Sequence, residues 1–373
     1  MKGKLMKFQL KQTSSMQTPI RNSTRFVTMK TRVVLIYASV GLLFLLGGAQ
    51  LRADIIVRVS VKYILKPDGT RPADGNIGTI AGFDAEIARG NLILAATGRG
   101  YSLQVVEYVD IRPPVPGGQP SDYWYNLDAR SNRQNIENAA LGDQATWRWN
   151  GSAINIYVNN SSSGQCSFPG SGGAITLGND IGTGTVLHET GHFFNLKHTH
   201  AGDYGDNSNP PTFAASDLRD GDGLAETAND NPNISNHDQL SQALFGHVYS
   251  AATTGERSVV DSAFENVMSY HNENTLLLDQ MDIWTDNASS SRIGVCTGRT
   301  RFVDRNCGTI ISDGSSGCGI FSGPYRTVGG GVGAANNGDI VMIRPGTYVE
   351  PMTINKAVTL RATRGWATIG TPN

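Results

Sequence analysis

Four of the chain's seven histidines fall within one short stretch, VLHETGHFFNLKHTH (Val186–His200), with a single glutamate among them. His188 and His192 are four residues apart, so a helix would stack both imidazoles on one face, one turn apart. Two neutral imidazoles in that arrangement can share one metal ion. Glu189 then stands beside the same face, where a carboxylate can take a proton from water activated by the ion. Zinc is the metal such a set implies, and a catalytic zinc commonly has three protein ligands and one open position. His198 is the candidate third ligand. To bring it back, the chain must leave the helix and turn at Asn195, and Asn is the next most tolerant residue after Gly for left-handed backbone angles. His200 lies two residues beyond and is expected to pack or sit at the rim.

The elements that must position these residues can be read from periodicity. DIIVRVSVKYIL (54–65), YSLQVVEYVDI (101–111), AINIYVNN (153–160) and GGAITLG (172–178) read as strands. IAGFDAEIARGNLILAATG (80–98) has apolar residues at helical spacing and ends on Gly. Residues 132–147 read as partly helical, and residues 239–292 as a second ordered patch. The mix predicts an α+β domain whose strands precede the histidine-bearing helix.

The chain has 373 residues, 17% of them charged, which is ordinary globular composition. Residues 1–53 carry nine of the 31 Lys/Arg and none of the 32 Asp/Glu, so the remainder has 22 against 32 and is acidic. An acidic body argues against nucleic acid as a partner. After basic MKTR (29–32) comes the uncharged, mostly apolar VVLIYASVGLLFLLGGA (33–49), then small residues at Ala49 and Ala53. This predicts a cleaved export signal, with Met1 or Met29 as the start and a membrane anchor as the competing reading. Export favours a secreted or cell-surface protein. Cys166, Cys296, Cys307 and Cys318 can then pair in three ways, with Cys307–Cys318 favoured by its short Gly/Ser-rich loop.

HETGHFFNLKH (188–198) resembles the long zinc signature of the metzincin metalloproteases, H-E-x-x-H-x-x-G-x-x-H. NLKHT (195–199), with Asn at the glycine position, most resembles their pappalysin-like, or cytophagalysin-type, branch. The resemblance implies a methionine turn, and ENVMSYH (265–271) supplies one at Met268; Tyr270 then matches the tyrosine that can assist the oxyanion. GDGLAET (221–227) is similar to a further stretch of that branch, departing from it at Glu226 and Ala228. The resemblance implies a zinc endopeptidase acting on proteins or peptides, with Glu189 as general base. It also implies a twisted mixed sheet, a zinc helix and a methionine turn in a lower subdomain. No long propeptide is expected, because residues 54–187 suffice for the upper subdomain. Asp217, Asp220, Asp222 and Glu226 belong to an acidic segment dense enough to suggest calcium, with a solvated loop as the equal alternative.

From residue 296 the composition turns to Gly, Ser and turn residues. The divisions expected are a signal or anchor over 1–53, the protease domain over 54–295 and a tail over 296–373. GPYRTVGGGVGAANNGDIVMIRPGTYVEPMTINKAVTLRA (323–362) resembles the opening coil of right-handed parallel β-helices of the pectate-lyase-like type. Such coils need about three stacked neighbours for stability, so the chain is expected to be part of a longer protein. The alternative function is a carbohydrate-binding or carbohydrate-active surface protein whose β-helix is the working part and whose protease domain is inactive.

Overall fold

A computed structural model describes residues 55–370 apart from 74, 171, 201–217, 219–221, 225, 228, 232, 272, 273, 289, 290, 299, 307–324, 364 and 365. The apolar segment 33–49, the pair Cys307 and Cys318, and the calcium candidates Asp217 and Asp220 lie outside the described residues. Among the described residues no helix is long and apolar enough to cross a membrane.

The alternating first segment forms β1 (Ile55–Ile64), followed by α1 (Ile80–Ala96) and β2 (Tyr101–Ile111). Next come α2 (Arg133–Gly142), β3 (Ile154–Asn159), β4 (Gly164–Cys166) and β5 (Ala174–Gly178). The strands make one mixed sheet in the order β2-β1-β3-β5-β4. β1, β2, β3 and β5 run parallel, and β4 is antiparallel to β5 at the edge. β6 (Cys296–Gly298) joins the same sheet antiparallel to the start of β1. The result is an α+β architecture with a mixed sheet.

Period-two alternation sends Ile55, Val57, Val59, Val61 and Tyr63 to one face. There they meet Phe83, Ile87 and Leu94 of α1, together with Val186, Leu187 and Phe193 of α3 (Thr185–Phe193). The opposite face is covered by Ile136 and Ala140 of α2 with Trp124, Trp147 and Tyr157. Burial on both faces explains why β3 and β5 are buried along their whole length. Beyond α3 lie α4 (His237–Phe245), α5 (Thr254–Phe264) and α6 (Leu278–Ala288). α5 starts on a capping box between Thr253 and Glu256. Met281 and Trp284 of α6 enter the main core beside Phe194.

In the tail, β7 (Thr300–Val303), β8 (Ile340–Ile343) and β10 (Thr359–Ala362) form a parallel sheet in the order β10-β8-β7. β9 (Gly346–Tyr348) and β11 (Ala367–Ile369) form a second parallel pair. Their shared core holds Val303, Val341, Ile343 and Tyr348, with Val328 and Val332 of α7 (Val328–Ala334).

Candidate metal centre

α3 is held at both ends. At its start, the Gly184 N–H donates to the buried Glu86 carboxylate of α1 at 2.6 Å. At its end, the Asn195 N–H donates to the His192 carbonyl and the Leu196 N–H to the Gly191 carbonyl, each at 2.9 Å. Those two bonds make a Schellman motif, which needs a left-handed residue just past the helix. Asn195 fills that position with φ 71°. The chain therefore reverses at Asn195, and His198 returns over the face that carries His188 and His192.

The three Nε2 atoms converge. His198 Nε2 lies 3.1 Å from His188 Nε2 and 3.0 Å from His192 Nε2. A tetrahedral ion with metal–nitrogen bonds of about 2.0–2.1 Å would set its ligands about 3.3 Å apart. The protonation of two rings follows from their other nitrogens. His188 Nδ1 sits 2.7 Å from the Val267 carbonyl, and His192 Nδ1 sits 2.7 Å from the Leu196 carbonyl. A carbonyl only accepts, so both Nδ1 atoms carry the proton and both Nε2 atoms present lone pairs. Burial pushes His188 down to about 4. Burial, with the charge of His188 next in weight, pushes His192 down to about 3. Burial and then the two neighbouring histidines hold His198 well below the usual range. Three neutral imidazoles aimed at one point form the donor set of a metal site, and this triad can hold a metal ion.

Glu189 is buried, and its Oε2 has no hydrogen-bond partner. Burial pushes its carboxyl up to about 8, against the charges of Arg130 and Arg133 and a hydrogen bond from the Cys166 backbone. An orphaned carboxylate oxygen beside three lone pairs fits a cavity whose missing charge is positive. Glu189 and all three histidines line one cleft of about 390 Å³ with Gly164, Gln165, Cys166, Phe168 and Tyr270. β4 forms one wall of that cleft. At Gly164 a Cβ would lie 3.3 Å from the Glu189 carboxylate.

Met268 is fully buried beneath the helix, and its carbonyl accepts the Thr199 N–H at 3.2 Å. A Cβ on Gly191 would stand 2.6 Å from Met268 Sδ and 3.3 Å from Leu196 Cδ1. Gly191→Ala is therefore expected to destabilise the protein by about 1–3 kcal/mol through overpacking. This loss outweighs the roughly 1 kcal/mol that Ala gains over Gly inside a helix. Urea melts check it, and a neutral or stabilising change would show that Met268 yields.

Tyr270 is 42% exposed, with its ring centroid 4.8 Å from that of His198 and 6.0 Å from that of His188. His200 is buried and stacked on His198 rather than rim-exposed, and it stands outside the convergent triad. Cys166 and Cys296 are free thiols, so neither enters the disulfides considered for them. The Cys166 thiol lies inside the core cluster, where its Sγ faces the Ser167 carbonyl at 3.2 Å. Burial raises it well above the usual thiol range. Asp222 accepts from the Leu224 N–H and the Thr227 hydroxyl, and Glu226 accepts from the Asp279 N–H. Among the described residues no group with ligating geometry includes either of them.

Sequence reasoning missed three supports. Asp230 is fully buried. It accepts from the Thr199 hydroxyl at 2.8 Å and meets His271 Nε2 at 3.0 Å, tying the His198 segment to the methionine turn. Burial acts to raise Asp230, but hydrogen bonds from His271, Thr199 and the Asn231 N–H hold it below the usual carboxylate range. Arg292 joins the end of α3 to the loop after β4, donating to the Phe193, Gly172 and Ser167 carbonyls while lying on the Phe193 ring. Arg130 enters the cleft from the loop before α2. None of the three has a distinguishing spacing.

No family model matches the chain, and no curated protein matches it. Solved structures similar at low level include two of note. A chaperone–substrate complex aligns over 40% of this chain at 14% identity with a TM-score of 0.26; this chain spans 25% of that one. Mature mirolysin of Tannerella forsythia, in complex with a cleaved peptide, aligns over 60% of this chain and 99% of its own at 14% identity with a TM-score of 0.27.

Proposed function

We propose that the chain is an exported zinc endopeptidase of the metzincin type, in its pappalysin-like branch. The observation that carries this reading is the convergence of His188, His192 and His198 Nε2 atoms beside the orphaned Glu189 oxygen, within one cleft. Zinc held by the three histidines supplies a Lewis acid that acidifies water and polarises a carbonyl. The chain's own groups do the rest. The Val267 and Leu196 carbonyls keep His188 and His192 in the tautomer that binds. Glu189 Oε2 accepts a proton from the attacking water and later delivers it to the leaving amine, and the positive charge of a bound ion would favour its ionised form. Tyr270, at the cleft edge, donates to the developing oxyanion. β4 is an edge strand along the cleft, so an extended peptide can add to it and be carried across Glu189.

In the same reading the tail is the opening of a right-handed parallel β-helix. The parallel pairings β7-β8-β10 and β9-β11 support this, because successive short strands stack on their counterparts one coil later. Export rests on the sequence of residues 29–53. The carbohydrate reading gives Glu189 no reason to stand with an unpartnered oxygen beside three convergent imidazoles.

The test is metal analysis with a cleavage assay. We expect one zinc per chain, loss of cleavage of an unfolded protein substrate on chelation, and recovery with stoichiometric zinc. Purified protein that holds no zinc and cleaves nothing after zinc is supplied removes the reading.

A further inference from the structure

Arg130 has no role in the chemistry above, yet it faces it. Among the described residues lining the cleft, Arg130 and Glu189 are the only Arg, Lys, Asp or Glu. The Arg130 backbone is fixed on the β4 side. Its N–H donates to Ser163 Oγ at 3.1 Å, and that hydroxyl donates to Asp128 Oδ2 at 2.8 Å. The preceding Ala129 carbonyl accepts the Thr176 hydroxyl of β5 at 2.7 Å. Asp128, the carboxylate of its own loop, accepts from the N–H and hydroxyl of Ser131 and from Ser163, and feels the Arg130 charge without forming an ion pair with it. Arg130 is half-buried and makes no ion pair with any described residue. Its charge reaches the centre, opposing protonation of both Glu189 and His198.

A permanent cation beside three ligands aimed at a dication is electrostatically unfavourable in the free protein. An anionic group on the bound ligand relieves that repulsion, and the planar guanidinium matches a carboxylate with two parallel hydrogen bonds. We propose that Arg130 is the specificity-determining residue of this cleft, selecting peptides that place a carboxylate beside the Ser163–Gly164 end of β4. That carboxylate comes from an Asp or Glu side chain or from the peptide's C-terminus. The proposal rests on the peptidase reading for its substrate class.

Binding tests it without turnover. Zinc-loaded Glu189→Gln protein is titrated with fluorescent peptide sets that differ only in Asp/Glu against Asn/Gln at each position, and in a free against an amidated C-terminus. We expect about tenfold or greater preference for the carboxylate form at one position. A side-chain preference that survives amidation assigns the side chain; a preference lost on amidation assigns the terminus. Adding Arg130→Glu reverses the preference toward Lys or Arg peptides, and adding Arg130→Lys weakens it. Circular dichroism confirms that each variant is folded. Equal binding of carboxylate and amide peptides, or a preference that Arg130→Glu leaves unchanged, overturns the assignment. Cleavage by the unsubstituted protein with no carboxylate preference removes Arg130's role and keeps the peptidase. Carboxylate selection without cleavage keeps Arg130 and removes the peptidase.

Discussion

Glu189→Gln is expected to lower kcat for protein cleavage by roughly 10²–10⁴-fold while zinc stays bound. The two side chains have nearly the same shape, and the amide oxygen can still accept from the Cys166 backbone that supports the carboxyl. What disappears is an atom able to take a proton and return it. His188 and His192 stay in place because their orientation depends on the Val267 and Leu196 carbonyls and not on Glu189. The measurement is kcat alongside zinc content on the same preparation. Full activity with zinc bound would sink the proton-carrier role. Loss of activity together with loss of zinc would instead make Glu189 part of what holds the ion.

The second large effect is on stability. The metal-free protein is expected to lose stability steeply as pH falls below about 6.5. His188, His192, His198 and His200 are all held below their unfolded value of about 6.5. Each depressed histidine contributes stability that is present above 6.5 and lost as pH falls toward its folded value, because the unfolded chain takes the proton first. Glu189 works in the opposite sense. Its folded value of about 8 lies above the unfolded one, so it penalises the fold most at high pH, and the penalty is relieved as pH falls from about 8 toward 4.5. Near pH 5 the unfolded state therefore holds about four histidine protons that the folded state lacks, against one held by folded Glu189. A net of three protons corresponds to a slope on the order of 4 kcal/mol per pH unit at its steepest. Urea melts of metal-free protein from pH 8 to 4.5 read this directly. A flat profile between pH 7 and 5 would mean that the histidines are not buried neutral.

The elements with a strong period were legible. β1, α1, β2, β3 and β5 fall within a few residues of the stretches that alternation and helical spacing mark out. The three-residue β4 was not, because GQC has no alternation to read and its strand character comes from pairing with β5. It is nonetheless the strand that walls the cleft. Spacing also singled out the three convergent histidines and the turn residue between them, since helix geometry and the cost of left-handed backbone act locally. Asp230 stayed hidden because its burial is decided by the methionine turn packing against it, far along the chain. In composition it is one acid among many. Gly191 carries no signal in the sequence, yet it is the gap that admits Met268.

The two carbonyls that orient His188 and His192 belong to the main chain. Many metal sites orient such imidazoles with a carboxylate side chain, which a single base change can delete. Here no substitution at position 267 or 196 removes the acceptor; only a shift of the backbone can. The side chains at those two positions are thus free to drift among residues that satisfy the core, while the tautomers of both histidines are inherited with the fold. Mutational tolerance at the site should therefore be uneven in a characteristic way. It should be absent at the imidazoles, poor at Asn195, where the left-handed turn is set, and at Gly191, where Met268 fills the space of a Cβ, and limited only by core packing at the residues that do the orienting.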